Sequence, residues 1–282
     1  MNNVSYSQSY YKESWANVLK KYTIYSPITD LGDLLRSKIL ENLLSKHRAN
    51  SHKQQIIVHD YGPGNWLYLP VILKWATQKT QQTTKLIGFD FSRHAMEFGL
   101  KKCHVIPNKV TIVLKEGYIH TLVRDVPEQT VDIVISLETL EHLEKDEEIF
   151  MEFCRILNSE GLLIISVPNW KRPLFSVDWF TFKNMRILQE KDTHVGHLRR
   201  YVVDDFLEMA RGKKVKPIEI VHYSFGLSTY FKKINNFFEN ISPIIAKYTF
   251  IFTWVLCLCE NKIGNILQLS GSEGFFIVFR KI

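Results

Sequence analysis

The chain has 282 residues, of which 45% are apolar and 13% aromatic, a composition that suits a globular protein with one sizeable core. Its formal net charge is +7, but 36 basic residues are dispersed among 29 acidic ones, so charge alone does not indicate a nucleic-acid partner. Four cysteines without zinc-ligand spacing predict reduced thiols, and a polar start without a leader pattern predicts a cytoplasmic protein.

The first 52 residues are predicted to form a helical cap. A short helix is predicted from Glu13 to Lys21, and a longer one begins after the N-cap residue Asp30. Apolar side chains recur on one face of the longer helix, at Leu31, Leu34, Leu35, Ile39 and Leu43. The polar residues that follow, up to residue 52, are predicted to link this cap to the first strand.

An apolar run, Ile56–Val58, ends at Asp60 and is followed by a turn that contains two glycines. The turn, residues 61–65, leads into a predicted helix over Trp66–Ala76. Glycine lets the backbone turn tightly and lets a ligand lie against it. This order of elements predicts a strand, a ligand-binding turn and a helix.

A second strand is predicted over Leu86–Phe89 and also ends at an acid, Asp90. Because open α/β sheets bind ligands at the carboxyl ends of their strands, Asp60 and Asp90 are expected to meet there, with Asp90 placed to bind a ribose. A dinucleotide site would have a glycine where this chain has Leu67, and a pyrophosphate would gain little from the acid at position 60. Two carboxylates instead favour an adenosyl ligand that carries positive charge and no phosphate.

In these acids and this glycine turn, the sequence resembles the class I S-adenosylmethionine-dependent methyltransferases, over residues 55–222. The resemblance implies an α/β fold with a Rossmann-like, seven-stranded, mostly parallel sheet and helices on both faces. It also implies S-adenosylmethionine as the cofactor. The residues expected to bind it in this region are Asp60, Tyr61, Gly62, Gly64, Asp90 and Phe91.

The chain departs from the family pattern at one position of the glycine loop, and the resemblance also predicts a role for the cap. Trp66 stands where the family usually has the third glycine of the loop. In that family, helices ahead of the core cover the acceptor side of the cleft, so the tyrosine-rich segment 6–25 is expected to act as a lid. A helical layer packed on the sheet edge is the alternative.

The second crossover helix is predicted over Arg93–Cys103 and the third strand over Lys109–Leu114. The loop after that strand usually holds the adenine in the resembling family. Here it contains Tyr118 and Ile119, which are therefore expected to contact the cofactor through the backbone and through packing. A plain connecting loop is the alternative.

The fourth strand, Val131–Ser136, is followed by a segment that contains Glu141 and His142. Glu-His at this place resembles the branch that includes ubiquinone-pathway O-methyltransferases and methyltransferases of glycan and lipid gene clusters. The resemblance implies that Leu137 lies at the cofactor and makes His142 a candidate general base for a hydroxyl acceptor. The solvated start of a helix is the alternative.

A helix over Glu147–Leu157 and a fifth strand over Leu162–Val167 precede a long aromatic loop. In the resembling branch the element after this loop lies near the acceptor, so His197 and Arg199 are second candidates for acceptor contacts; a hydrogen-bonded loop that caps the next helix is the alternative. His194 and His197 lack a third ligand at matching spacing, so no metal site is predicted.

The sixth strand is predicted over Lys216–Tyr223 and the seventh over Gly274–Arg280, which the resemblance places antiparallel between strands five and six. Residues 225–272 are predicted to be an apolar helical insertion. Its apolar run contains Pro243 and Lys247, so a complete transmembrane helix is not predicted. Contact with a membrane surface, a dimer contact and cover for a lipidic acceptor remain open as its use.

These patterns divide the chain into a cap (1–52), a core (53–224), the insertion (225–272) and a last core strand (273–282). They predict a methyltransferase that acts on a hydroxyl, or another nucleophile, of a small-molecule, glycan or lipid-linked acceptor. It is expected in the cytoplasm, with peripheral contact to the inner face of a membrane as a further use of the insertion. A methyltransferase-like binding protein and a nicotinamide-dependent oxidoreductase are the alternatives, and the dispersed basic residues argue against a nucleic-acid acceptor.

Overall fold

The computed structural model describes residues 31–47, 53–78, 82–103, 105–171, 188, 190–226, 237 and 243–282. The predicted helix at Glu13–Lys21, the lid segment and Asp30 lie outside these residues. So do most of the aromatic loop and the first part of the insertion.

One sheet of seven strands runs through the described part of the chain. The strands are β1 (Gln55–Tyr61), β2 (Thr83–Asp90), β3 (Val110–Glu116), β4 (Val131–Leu137), β5 (Leu157–Pro168), β6 (Val215–Tyr223) and β7 (Gly274–Lys281). Their order is β3-β2-β1-β4-β5-β7-β6. The first five are parallel, and β7 is antiparallel to both β5 and β6. This order confirms the predicted α/β sheet and the position predicted for its last strand.

Helices lie on both faces of the sheet. They are α1 (Leu31–Lys46), α2 (Leu69–Thr77), α3 (Arg93–Lys102), α4 (Ile119–Leu122), α5 (Asp146–Ile156), α6 (Glu190–His194), α7 (Val203–Ala210) and α8 (Pro243–Ile266). A single 3-10 turn, Leu140–His142, follows β4.

Two predicted boundaries differ from the structure for local backbone reasons. α2 begins at Leu69 and not at Trp66, because Trp66 has a φ of +54°, which no right-handed helix accommodates. β5 begins at Leu157, five residues before the predicted start at Leu162. The predicted turn there is absorbed as an irregularity in the pairing with β4, with Glu160 at a φ of +63°.

The sheet is buried on both faces, and the alternation of side chains along each strand decides which residues face which layer. The first face carries Val58 and Leu86, which pack with α1 and α2. The second face carries Tyr61 and Phe89, which pack with α4, α5 and α7. Asp60 neighbours Tyr61 in sequence and therefore faces the first layer.

α1, the described helix of the predicted cap, is part of the first layer. Its buried side chains belong to the core on that face: Leu35, Ile39, Leu40, Leu43 and Leu44. Lys46 Nζ donates to Glu219 Oε1 at 2.9 Å and so joins the last turn of α1 to β6. α1 is therefore a layer packed on the sheet, while the lid predicted for residues 6–25 and its alternative stay predictions.

The described part of the predicted insertion is dominated by α8, a helix of 24 residues. Asn265 Nδ2 donates to His222 O at 2.8 Å and Asn265 Oδ1 accepts from His222 N at 3.1 Å, so α8 is joined to the edge strand β6. Trp254 and Leu258 pack against the core of the first face. Among the residues that the structure describes, no helix is both long and apolar enough to cross a bilayer.

Candidate functional site

The loop between β1 and α2 holds the carboxyl groups of both predicted acids. Gly64 N donates to Asp90 Oδ2 at 2.9 Å. Trp66 Nε1 donates to Asp60 Oδ2 at 2.7 Å. One short loop therefore contacts the acids that end β1 and β2.

Asp60 and Asp90 lie on the same face of the sheet. Asp60 pairs with Gly88 across β1 and β2, and Asp90 is two residues further on, so the two acidic side chains point the same way. They are 5% and 4% exposed. Burial, and to a lesser extent the charge of Asp90, raise the pKa of Asp60 to about 7, against the Trp66 hydrogen bond, which lowers it. Burial also raises the pKa of Asp90.

The hydrogen bonds described for these two carboxyl groups come from neutral donors. They include the indole of Trp66 and the backbone N–H groups of Gly64 and Ser92, the last at 2.9 Å from Asp90 Oδ1, and the backbone of Phe91 also donates to Asp90. Two buried acids that share one loop, with no cationic donor among the residues that the structure describes, favour a ligand that brings positive charge. The site therefore fits an adenosyl ligand with a sulfonium and an ammonium group better than it fits a pyrophosphate.

Trp66 keeps the backbone shape of the glycine that it replaces. Its φ of +54° lies in the left-handed region, where a residue with a side chain costs about 1–2 kcal/mol. The indole is 2% exposed and lies over Gly88, where an added Cβ would be 2.7 Å from Trp66 Cζ2. Burial of the indole and its hydrogen bond to Asp60 offset the backbone cost.

Thr139 joins the glycine loop to the segment after β4. Its Oγ1 lies 3.2 Å from Tyr61 O, 3.4 Å from Gly62 O and 3.0 Å from Leu137 O, three acceptors for one proton. Gly62 has a φ of +76°, and a Cβ there would lie 2.4 Å from the Thr139 side chain. Sequence analysis missed Thr139 because a single threonine in a loop carries no periodic signal and belongs to no motif that we recognised.

Two of the predicted cofactor residues have side chains in the opposite layer. Tyr61 stacks on Phe89 with ring centroids 4.5 Å apart, and Ile119 belongs to the same core. A ligand on the first face would therefore have to contact Tyr61 and Ile119 through their backbone. Tyr61 and Ile119 remain predicted to contact the cofactor through their backbone atoms.

Three other predicted cofactor residues lie around the ends of β2, β3 and β4. Tyr118 is 60% exposed, and its loop is tied to β2 because Gly117 N donates to Asp90 O at 3.0 Å. Phe91, half-buried, follows Asp90 directly. Leu137 is 8% exposed on the face that carries Asp60. The strand ends thus bring these residues to one edge of the sheet.

The segment after β4 buries an acid beside two histidines. Glu141 is fully buried, and burial, then the charge of Glu138, raise its pKa well above the usual value. His142 Nδ1 lies 3.1 Å from Gly196 O, and the rings of His142 and His197 have centroids 4.8 Å apart. Burial, then the neighbouring His197, lower the pKa of His142 to about 4, so its imidazole is neutral at neutral pH.

A charged network connects α1 with the end of β4. Glu138 Oε1 accepts from Ser166 Oγ at 2.6 Å and from Tyr223 Oη at 2.9 Å, while Arg36 lies 3.9 Å from the other oxygen of Glu138. Arg36 Nε also donates to Tyr68 Oη at 2.8 Å. No pattern in the sequence paired Arg36 with Glu138, because the contact depends on the packing of α1.

Arg199, a second candidate for acceptor contact, forms a salt bridge with Asp146. Asp146 also accepts from Tyr201 Oη at 2.7 Å. The guanidinium group of Arg199 therefore holds the loop before α7 against the start of α5.

A family model and solved structures are similar to this chain. Residues 60–165 match the family model of a methyltransferase domain. No curated protein sequence matches the chain significantly. A protein assigned as a sarcosine dimethylglycine methyltransferase from Galdieria sulphuraria is 12% identical, covers 88% of this chain and 86% of its own, and gives a TM-score of 0.56.

Two further structures show the same fold at similarly low identity. Phosphoethanolamine N-methyltransferase 2 from Haemonchus contortus, in complex with S-adenosyl-L-methionine, is 12% identical over 85% of this chain and 51% of its own, with a TM-score of 0.54. Geranyl diphosphate C-methyltransferase from Streptomyces coelicolor A3(2) is 13% identical over 87% and 77%, with a TM-score of 0.53. Over residues 60–165 the chain therefore matches a methyltransferase domain, and the solved structures, all below 25% identity, show that it shares their fold.

Proposed function

We propose that this protein transfers a methyl group from S-adenosylmethionine to a hydroxyl group of a small-molecule, glycan or lipid-linked acceptor. The observation that carries the proposal is the pair Asp60 and Asp90 on one glycine loop, which Thr139 joins to the segment with His142. Bound S-adenosylmethionine supplies a methyl group that is already activated by a sulfonium. The chain has to bind this cofactor, hold the acceptor, exclude water and receive a proton.

In this proposal Asp90 binds the ribose of the cofactor and Asp60 lies near its positive charge. The carboxylate oxygens of Asp90 accept from the backbone N–H groups of Gly64 and Ser92. A carboxylate has about four lone-pair sites, so the group can also accept from a ribose hydroxyl. Asp60 becomes ionised when positive charge enters the site, because an opposite charge favours the carboxylate. Further contacts are assigned to Tyr61, Gly62, Gly64, Phe91, Tyr118, Ile119 and Leu137.

In this proposal His142 is the general base that accepts the proton of the acceptor hydroxyl. Its Nδ1 faces Gly196 O and so carries the ring hydrogen, which leaves Nε2 as the basic nitrogen. A histidine placed as a general base contributes on the order of 100-fold or more to such a step when its pKa lies near the working pH. Burial lowers the pKa of His142 to about 4, which keeps the ring neutral and makes it a weaker base than that. A hydroxyl acceptor is favoured because it has to lose a proton when it is methylated, whereas a tertiary amine does not.

The names of the similar structures include nitrogen and carbon acceptors, so the fold leaves the acceptor atom open. The exposed side of α8, which carries Tyr248, Phe252 and Val255, supports a lipid-linked acceptor. Contact of residues 225–272 with a membrane and a cytoplasmic location stay predictions.

The proposal is tested by incubating the protein with S-adenosylmethionine labelled in its methyl group and with fractionated metabolite and lipid extracts. We expect label in at least one fraction, lost in His142→Ala, which still binds the cofactor. Cofactor binding without transfer to any fraction would favour a methyltransferase-like binding protein. A rise in melting temperature with NAD but not with S-adenosylmethionine would favour an oxidoreductase.

A further inference from the structure

We propose that Glu141, His142 and His197 form a binding site for a divalent metal ion beside the end of β4. These three side chains each offer one ligand atom, and the three atoms lie within 4.8 Å of one another. Two imidazoles and one carboxylate are a donor set that suits Zn²⁺, Fe²⁺, Mn²⁺ or Co²⁺ and leaves coordination positions open.

The carboxyl of Glu141 is buried at the proposed site without a hydrogen bond from the described residues. The side chain is 0% exposed, and among the described residues neither carboxyl oxygen has a hydrogen-bond partner. Buried charges in proteins are paired or coordinate a metal, because an isolated carboxylate is costly to remove from water. His197 Nε2 lies 3.9 Å from Glu141 Oε1, too far for a hydrogen bond. Two ligands that each lie about 2.0–2.2 Å from one ion are separated by roughly 3–4 Å.

Both histidines have the hydrogen-bond arrangement of metal ligands. His142 Nδ1 lies 3.1 Å from Gly196 O, and His197 Nδ1 lies 3.3 Å from Asp192 Oδ1. Each Nδ1–H therefore donates to an oxygen, and each Nε2 is left with a free lone pair. Histidines that bind metals donate their other ring N–H to a carbonyl or carboxylate, which fixes the tautomer and the ring orientation.

The surrounding contacts hold the two ligand-bearing segments together. Asp192 is 1% exposed and accepts from Arg200 Nε at 3.0 Å, and Arg200 Nη1 donates to Asn169 O at 3.1 Å. Leu198 N donates to Glu141 O at 2.8 Å. The spacing of the ligands is thus set by contacts outside the proposed site.

No metal site is predicted from the sequence, because the spacing there pairs His194 only with His197. The structure brings Glu141 and His142 to His197 instead, from a segment that is distant in sequence. His194 is exposed. It therefore serves as a matched control on the same loop.

The role of the ion, unlike its binding, rests on the proposed function. A hydroxyl oxygen in an open coordination position releases its proton to water more readily, because the cation stabilises the oxyanion. With the ion bound, His142 Nε2 is a ligand and no longer the general base of the metal-free proposal, so the acceptor proton passes to a solvent water instead. The acceptor oxygen is then held at the segment that Thr139 joins to the cofactor loop.

The test is calorimetric titration of chelator-treated full-length protein with Zn²⁺, Mn²⁺, Co²⁺ and Mg²⁺. We expect one equivalent of at least one ion to bind the wild type and His194→Ala alike. Affinity should fall at least tenfold in His197→Ala and in Glu141→Gln. Glu141→Gln removes a buried charge and keeps the shape, so its melting temperature without metal should equal or exceed that of the wild type, while the rise caused by metal disappears. That pattern separates a ligand from a structural residue.

If no ion binds the wild type, or if His197→Ala and Glu141→Gln bind as the wild type does, the site does not exist. Methyl transfer in chelator distinguishes this failure from failure of the proposed function. Transfer that is equal with and without chelator, with no ion bound, would leave the function and remove the site. Ion binding without transfer to any acceptor would leave the site and remove the function.

Discussion

The indole of Trp66 donates its N–H to the carboxyl of Asp60 at 2.7 Å, so the residue at the predicted place of a loop glycine also contacts an acid of the proposed cofactor site. The backbone of Trp66 retains the left-handed conformation that a glycine would adopt. Gly88 leaves the space that the indole fills. The substitution thus preserves the turn and changes what lies beside Asp60.

Trp66→Phe tests this contact because it keeps an aromatic ring and removes the donor. The free energy of unfolding should fall by about 1–3 kcal/mol, since a buried acceptor loses its partner. The pKa of Asp60 should rise, because the hydrogen bond now lowers it. Urea denaturation and an NMR titration of the carboxyl measure the two effects. Unchanged stability together with an unchanged pKa would contradict the assigned role.

Gly88→Ala tests the space beneath the indole. The new Cβ would lie 2.7 Å from Trp66 Cζ2, and overpacking of this kind costs about 1–3 kcal/mol. The smaller ring of Trp66→Phe should relieve this overpacking. The double variant should therefore lose less stability than the sum of the losses in the two single variants. Simple additivity in denaturation experiments would show that the two residues do not compete for this space.

Affinity for S-adenosylmethionine should rise with pH. The pKa of Asp60 in the ligand-free protein is raised to about 7 by burial, and a cationic ligand favours the ionised form. Below that pH a proton has to leave on binding, so affinity should fall by up to about tenfold per pH unit. Calorimetry between about pH 5 and about pH 8 measures this, and adenosine, which lacks both cationic groups, should show little of it.

The Asp60 carboxyl also makes the stability of the ligand-free protein depend on pH. Here the stability falls as pH rises, whereas the affinity for S-adenosylmethionine rises. The pKa of Asp60 is higher in the folded protein than the ordinary value of 3.8, so the folded state binds the proton more tightly. Stability should therefore decrease as pH rises from 3.8 to about 7 and level off above that. Asp60→Asn should lack this slope, which thermal denaturation across the range would detect.

The strand ends and the fold could be predicted from the sequence, because apolar runs, glycines and terminal acids are local signals. Asp60 and Asp90 could be predicted as site residues because each follows an apolar run in the sequence. Arg36 and Thr139 could not, since their contacts with Glu138 and Tyr61 exist only after α1 packs and β1 meets β4. The cluster around Glu141 was missed for the same reason: its ligand atoms come from segments that the fold, not the spacing, brings together.

Thr139→Val tests the connection between the cofactor loop and the segment after β4. It keeps the shape that packs on Gly62 but removes the hydroxyl, at a cost of about 1 kcal/mol in stability. S-adenosylmethionine should bind several-fold more weakly, because the loop loses its anchor. Thr139→Ser should restore both properties in denaturation and calorimetry. If valine and serine behave alike, the hydroxyl does not hold the loop.

The measurement that tests the central claim most directly is calorimetric titration of the wild type, Asp60→Asn and Asp90→Asn with S-adenosylmethionine. Each variant removes one charge from the loop site, and the exposed Asp125 provides a matched control, Asp125→Asn. We predict that wild type and control bind one equivalent with the same affinity, while both site variants remain folded and bind at least about tenfold more weakly. Binding by both site variants with wild-type affinity, or no binding by the wild type, would contradict the account.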